Sequence, residues 1–178
     1  MKKQIVLIVA IVIAMGLNTA ISFAQRMETW EDKRFNISFQ VPAGSRWTEG
    51  KEPDGTTFFE AVTPDNMLHI YIYAYKNSHV TTDELFTEAQ HYFEGDIKAE
   101  RGSVKSYKQG HFNVKSGDFT GTWSHGRTKE RVGATIMAAT DPDYPNNYVC
   151  YVTCSEKDYT DKLGVTMGKI VDSFKALK

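Results

Sequence analysis

The residues best suited to chemistry in this sequence are five histidines and two cysteines. His69, His79, His91, His111 and His125 are scattered, without the close pairs that mark a metal site. His69 and His125 fall on expected strands, where either could meet an Asp or Glu across a sheet as an acid–base pair. The plainer expectation is five partly exposed strand and loop residues. Cys150 and Cys154 stand four apart in Tyr148-Val149-Cys150-Tyr151-Val152-Thr153-Cys154. On a strand they would share one face about 13 Å apart, beyond the roughly 7 Å that a disulfide tolerates. That spacing predicts two separate buried thiols acting as small hydrophobes. A thiol in mid-strand on a core face is also badly placed to be a nucleophile.

The other chemical signatures are weaker. Asp141-x-Asp143, with Asn146 and Asn147, offers oxygens of the kind Ca²⁺ takes, but lacks the spaced set and bidentate Glu of a calcium loop. Asp, Pro and Asn are equally the residues of a turn, so no metal and no cofactor is expected. The sequence holds no G-x-S-x-G elbow, H-E-x-x-H, Walker loop or dinucleotide fingerprint. His125, Arg127, Lys129 and Arg131 alternate around an expected turn. Arg127, Lys129 and Arg131 would form a small basic edge, either contacting an anionic partner or guarding against edge-to-edge aggregation.

The remaining candidate is a row of rings. In Met67-Leu68-His69-Ile70-Tyr71-Ile72-Tyr73-Ala74-Tyr75 the aliphatic residues take one face and Tyr71, Tyr73 and Tyr75 the other, the period-two pattern of a strand. Tyr and Trp are favoured interface anchors, so this row, extended by Trp123 from another strand, is a candidate docking face. The competing expectation is that a helix covers it.

These residues need a scaffold, and the scaffold begins after a leader. Lys2 and Lys3 precede an apolar run from Ile5 to Met15 and then Ser22-Phe23-Ala24, the pattern of a secretory signal peptide cleaved after Ala24. The run is too short for a lasting membrane anchor, which needs about 20 residues. The expected organisation is therefore a leader over 1–24 and one domain over 25–178, exported to the periplasm or medium. Without Lys2 and Lys3, the 21 basic residues fall two short of their total against 22 acidic ones, a formal charge of −3. That balance argues against a nucleic-acid partner.

Within the domain, Phe35 to Val41 alternates and stops at Pro42, Thr57 to Val62 forms a second strand, and Thr63-Pro64-Asp65-Asn66 turns the chain into the tyrosine strand. Thr81 and Glu84 have capping-box spacing, opening a helix with Leu85, Ala89, Tyr92 and Phe93 on one stripe and Gly95 as its stop. Strands follow over 103–109, 112–115, 119–125, 130–139 and 148–154, with turns at Gly110, at Ser116-Gly117 and near Gly126. Leu163, Met167, Ile170, Val171 and Phe174 then mark a closing helix, with Ser155 and Asp158 at cap-like spacing. The order is three strands, a helix, about four strands and a helix, βββ-α-ββββ-α. It predicts an α+β fold: a curved antiparallel sheet of about six to seven strands flanked by two main α-helices.

Phe35-Asn36-Ile37-Ser38-Phe39-Gln40-Val41-Pro42 with Trp47 resembles the F-x-I-x-x-P…W opening of the PsbP-like families. Ile170-Val171-Asp172-Ser173-Phe174 is similar to their closing helix. These families include extrinsic photosystem subunits, a Ran-binding import factor and exported bacterial proteins of the DcrB type. The resemblance spans nearly the whole mature chain and implies a sheet with helices on both sides and a non-enzymatic binding or scaffolding role. The matching positions are core residues, so no partner-contact or metal residue carries over. The expected function is an exported, non-enzymatic binding or protein-interaction module with a protein partner in the cell envelope. The alternative is a small-ligand-binding protein or hydrolase with a pocket between sheet and helix. A structural subunit of an envelope complex is a third possibility, differing in how permanent the association is.

Overall fold

A computed structural model describes residues 26–76, 80–99, 102–125, 128–141, 143 and 146–177. The leader and His79 lie outside the described residues. The chain is α+β, with eleven strands and two α-helices among the described residues. The strands are β1 (Met27–Asp32), β2 (Ile37–Pro42), β3 (Arg46–Lys51), β4 (Thr57–Val62), β5 (His69–Lys76), β6 (Phe93–Ala99), β7 (Lys105–Gln109), β8 (Phe112–His125), β9 (Thr128–Thr140), β10 (Asn146–Ser155) and β11 (Lys175–Ala176). Helix α1 (Thr82–Ala89) follows β5, and α2 (Asp161–Asp172) follows β10.

Eight strands form one antiparallel sheet in the order β3-β4-β5-β10-β9-β8-β6, with β7 beside β6 along the outer edge of β8. A second, three-stranded sheet has the order β1-β2-β11. The pleat of β5 explains why two cores exist. Leu68, Ile70, Ile72 and Ala74 enter one cluster, and Tyr71 and Tyr73 the other, because successive side chains of a strand point to opposite faces. β10 lies at the centre of the large sheet and divides the same way, sending Tyr148, Cys150, Val152 and Cys154 to the first core and Val149 and Tyr151 to the second. The first core is closed by α2 and the small sheet, the second by α1.

The hairpin of β4 and β5 has the expected connection. Thr63 Oγ1 donates to Asp65 at 2.6 Å and accepts from the Leu68 amide at 3.0 Å, while Asn66 takes a φ of 57°. The capping box on α1 is also present: Thr81 Oγ1 accepts from the Glu84 amide at 3.2 Å, and Glu84 accepts from the Thr81 amide at 2.8 Å. Both cysteines are buried and free.

Several elements differ from the sequence pattern. The polar lead-in contains β1, which pairs residue for residue with β2; an edge strand with one face in water carries little apolar signal. β3, around Trp47, is missed for the same reason and pairs with β4. These two, with β6 and β11, raise the count beyond six to seven strands. Helix α1 ends at Ala89, not Gly95: a single 3₁₀ turn over Gln90–Tyr92 leads directly into β6, and Tyr92 and Phe93 reach the same core from non-helical backbone. Ser116-Gly117 is not a turn but the interior of the 14-residue β8. Gly117 is required there by close approach, since a Cβ would lie 2.9 Å from Val104 Cγ2. The N-cap of α2 is Thr160, whose Oγ1 accepts from the Leu163 amide at 3.3 Å, while Glu156–Asp158 forms a 3₁₀ turn before it.

Candidate binding surface

The tyrosine row lies on the second core, and most of it is covered. Tyr71 is 7% exposed, Tyr73 0% and Trp123 2%, so these three are not an open docking face. The cause is α1: Leu85, Phe86 and Ala89 need an apolar partner, and the row supplies it together with Val132, Ala134, Ile136 and Ala138. The rings pack on one another, with Tyr71 5.5 Å from Trp123, Trp123 4.9 Å from Tyr151, and Tyr73 5.6 Å from Tyr92 between centroids. Such pairs add roughly 0.5–1.5 kcal/mol each beyond their buried area. The Tyr151 hydroxyl donates to the Ala89 carbonyl at 2.9 Å, tying the end of α1 to the sheet. These rings fill the space between the sheet and α1.

The far end of the row is different. Tyr75, Tyr92 and Phe58 are only partly buried at the margin of this core. Tyr73 joins them, with ring centroids 6.4 Å from Tyr75 and 5.7 Å from Phe58. Two segments flank the patch. One is the β3–β4 turn, closed by Glu52 N–H donating to the Thr56 carbonyl at 2.9 Å and fixed by Asp54 accepting from the Thr56 amide at 2.8 Å. The other is the last turn of α1 and its 3₁₀ extension, carrying Glu88 and Tyr92. Burial, and after it the charges of Tyr92, Glu88, Asp54 and Glu52, push the Tyr75 phenol far above its usual range. Burial and Glu52, with smaller contributions from Asp54 and Glu88, raise the Tyr92 phenol as well, against a hydrogen bond with Tyr73 that lowers it. Glu52, Asp54 and Glu88, on the two flanking segments, therefore all act on the exposed end of the row.

The near end gathers the one histidine–carboxylate pair among the described side chains. His69 Nδ1 lies 3.6 Å from Glu60 Oε1, too far for a normal hydrogen bond, and its ring stacks 6.3 Å from Tyr71. Burial first, then the charge and hydrogen bond of Glu60, raise the Tyr71 phenol. His91 and His111 are exposed and belong to no such group.

Lys129 and Arg131 lie on the end of β9 that pairs with β8 alone, beyond the last β10 partner at Val132, while Arg127 lies outside the described residues. Arg131 forks onto Glu156 at 3.1 and 2.9 Å. Asp141 accepts from the Asp143 amide at 2.9 Å, the geometry of an Asx turn, and Asn146 and Asn147 are buried residues of β10.

The pattern gave no warning of a second aromatic feature. Trp30 on β1 stacks on Trp47 of β3 with centroids 4.4 Å apart, closing the gap between the two sheets. Arg34 holds the same margin, donating to Asp32 and to both oxygens of Glu49.

No family model matches this sequence, and no curated protein does either. The architecture itself is the PsbP-like fold, as the resemblance implied. The solution structure of cyanobacterial PsbP from Synechocystis sp. PCC 6803 superimposes with a TM-score of 0.57 at 11% identity, covering 88% of this chain and 95% of that one. The Saccharomyces cerevisiae Ran-binding protein Mog1p does so with a TM-score of 0.55 at 10% identity, covering 87% and 97%. At such identities the likeness establishes the fold alone.

Proposed function

We propose that this chain is an exported, non-enzymatic protein-interaction module that docks its partner at the Tyr75–Tyr92–Phe58 end of the tyrosine row. The observation that carries the reading is that patch: rings held rigidly by a packed aromatic core, left partly in water and bordered by a turn and a helix end. Rigid aromatic side chains lose little entropy on binding, which suits them to anchor an interface. Mog1p, which shares the fold, is a Ran-binding protein, so this scaffold is compatible with protein recognition. Export rests on the leader: Lys2, Lys3, the apolar run and Ala24.

Site-specific photocrosslinking in the native host tests the reading. A photoreactive residue replacing Tyr92 is expected to trap a discrete protein adduct. The same residue at Val165, which is 59% exposed on α2 over the other face of the sheet, is expected to trap none. Equal adducts from both positions, or none from position 92, would remove the site. Fractionation with N-terminal sequencing tests export, the expected result being a processed chain beginning at Gln25 outside the cytoplasm.

A further inference from the structure

The charge that the two flanking segments bring to the patch is one-sided, and this constrains the partner. The β3–β4 turn, Glu52-Pro53-Asp54-Gly55-Thr56, carries two carboxylates and no Lys or Arg. Helix α1 with its 3₁₀ extension, residues 82–92, carries Asp83, Glu84 and Glu88, and His91 is its sole basic side chain. Asp83 and Glu84 stand in the first turn, where the helix dipole favours anions, and Asp83 is paired with Lys115 at 2.6 Å. Glu88 is the exception. It stands in the last turn, which holds no basic residue, at the end where the dipole opposes a carboxylate. Helix stability would be served better there by Lys or Gln. Two lysines adjoin these residues in sequence: Lys76 follows Tyr75 at the end of β5, and Lys51 lies one residue along β3 from Gly50, whose cross-strand partner Phe58 belongs to the patch. Alternation therefore places Lys51 on the opposite face, where its charge acts on Glu49.

Tyr75 lies beside these two acidic segments and Tyr92 ends the second; both rings are partly exposed, and an aromatic ring is negative on its face. A cation over a Tyr face is attracted by the ring quadrupole, and carboxylates beside the ring add directly to that attraction. A carboxylate-bearing partner would meet repulsion from both segments.

Resting on the docking role above, we propose that the partner engages this surface through a basic segment. Its Lys or Arg side chains would lie over Tyr75 and Tyr92 and be flanked by Glu52, Asp54 and Glu88. The segment is peptide rather than free amine: the surface extends from the hairpin turn across Tyr75 to the helix end, so several cationic side chains can be met in sequence.

The test uses the full gene product, purified from the compartment in which it accumulates. A labelled peptide of alternating lysine and glycine, and its glutamate counterpart, are titrated by fluorescence anisotropy against wild type and Glu52→Gln/Glu88→Gln. Both substitutions are on the surface, keep side-chain length and leave the rings in place, and a thermal melt confirms that the variant folds. The proposal expects wild type to bind the lysine peptide at least about tenfold better than the glutamate one. It also expects the double variant to lose about tenfold, and added salt to weaken wild-type binding. Equal binding of the lysine peptide by wild type and variant overturns the proposal, as does failure of wild type to bind it. The two readings separate through the crosslink. An adduct from position 92 that forms undiminished in the Glu52→Gln/Glu88→Gln background keeps the docking site and removes the basic segment. Loss of the adduct in a folded double variant supports both.

Discussion

The ring of Tyr159 occupies the space that a side chain on Gly133 would need: a Cβ there would lie 2.6 Å from Tyr159 Cδ2. Tyr159 precedes α2 and is received from the other side by Gly164, where a Cβ would come 2.6 Å from its hydroxyl. Gly133 is mid-strand in β9, where alanine ordinarily stabilises by roughly 0.5–1 kcal/mol. Here the sign should reverse. Gly133→Ala is expected to destabilise the fold by about 1–3 kcal/mol through overpacking, read as a lowered urea midpoint with an unchanged slope. In the Tyr159→Ala background the same substitution should lose most of its cost, since the two positions share one contact.

Tyr151 gives a second stability prediction, which bears on the candidate surface. Its hydroxyl is the buried donor to the Ala89 carbonyl, at the end of α1. Tyr151→Phe leaves that carbonyl short of a partner at an expected cost of about 1–2 kcal/mol. Because Tyr92 begins three residues further on, the variant should also weaken amide-exchange protection in 86–93 before that of β9 and β10. Uniform loss across all these segments would mean that the bond serves global stability rather than holding α1 in place.

How far the sequence reveals this molecule differs by element. The tyrosine strand, its hairpin turn, the α1 capping box and the two unpaired cysteines were legible, because each depends on local spacing: alternation, a Pro-Asp-Asn turn, a Thr-x-x-Glu, and a strand rise too long for a disulfide. The edge strands β1 and β3 were not, since Met27–Asp32 and Arg46–Lys51 are mostly polar and their pairing is decided by β2 and β4. The candidate surface was half legible. Tyr75 belongs to the alternating row, but Tyr92, Glu52 and Glu88 join it only through tertiary folding, and burial of Tyr71, Tyr73 and Trp123 depends on where α1 docks.

The thiols should be chemically silent in the native state. Burial alone raises the Cys150 thiol far above its usual value, and burial pushes the Cys154 thiol up to about 11. At about pH 8 a thiol reagent is expected to label neither in the folded protein and both in denaturant. Non-reducing mass spectrometry should find two free thiols even after export to an oxidising compartment. Rapid labelling of either cysteine under native conditions would show that β10 opens locally.

Alkaline pH should destabilise the fold, and the sign follows from the same burial. Tyr71, Tyr73 and Tyr151 keep their protons in the fold well above the usual 10.0, burial being the largest cause for each. Raised folded values mean that the unfolded chain loses protons first, so stability is unaffected below the unfolded values and falls above them. Urea midpoints are expected to be level to about pH 8, then to decline as unfolded thiols and phenols ionise near 9.0 and 10.0. The slope should be about 1.4 kcal/mol per pH unit for each group still protonated in the fold. Tyrosinate absorbance should lag in native protein and appear together with unfolding. A smooth titration of all tyrosines near their usual value, with the fold intact, would contradict the packing described.

Ser173 tests why the closing motif reads as it does. Strand β2 is paired on one side by β1 for its full length, but on the other by only the two residues of β11, opposite Ile37 and Ser38. Beyond them Ser173 takes the place of a strand: its Oγ accepts from the Gln40 amide at 2.7 Å and donates back to the Ile170 carbonyl. One hydroxyl thus ends α2 and closes the open edge of β2, while its neighbour Phe174 is fully buried against Phe39, Phe112 and Tyr148. Ser173→Ala removes both bonds without touching the core. The expected loss is about 1–2 kcal/mol, together with faster amide exchange at Gln40. Ser173→Thr retains the hydroxyl and should recover most of the loss if the oxygen is what matters. If alanine is as stable as serine and Gln40 stays protected, the edge is closed by β11 alone.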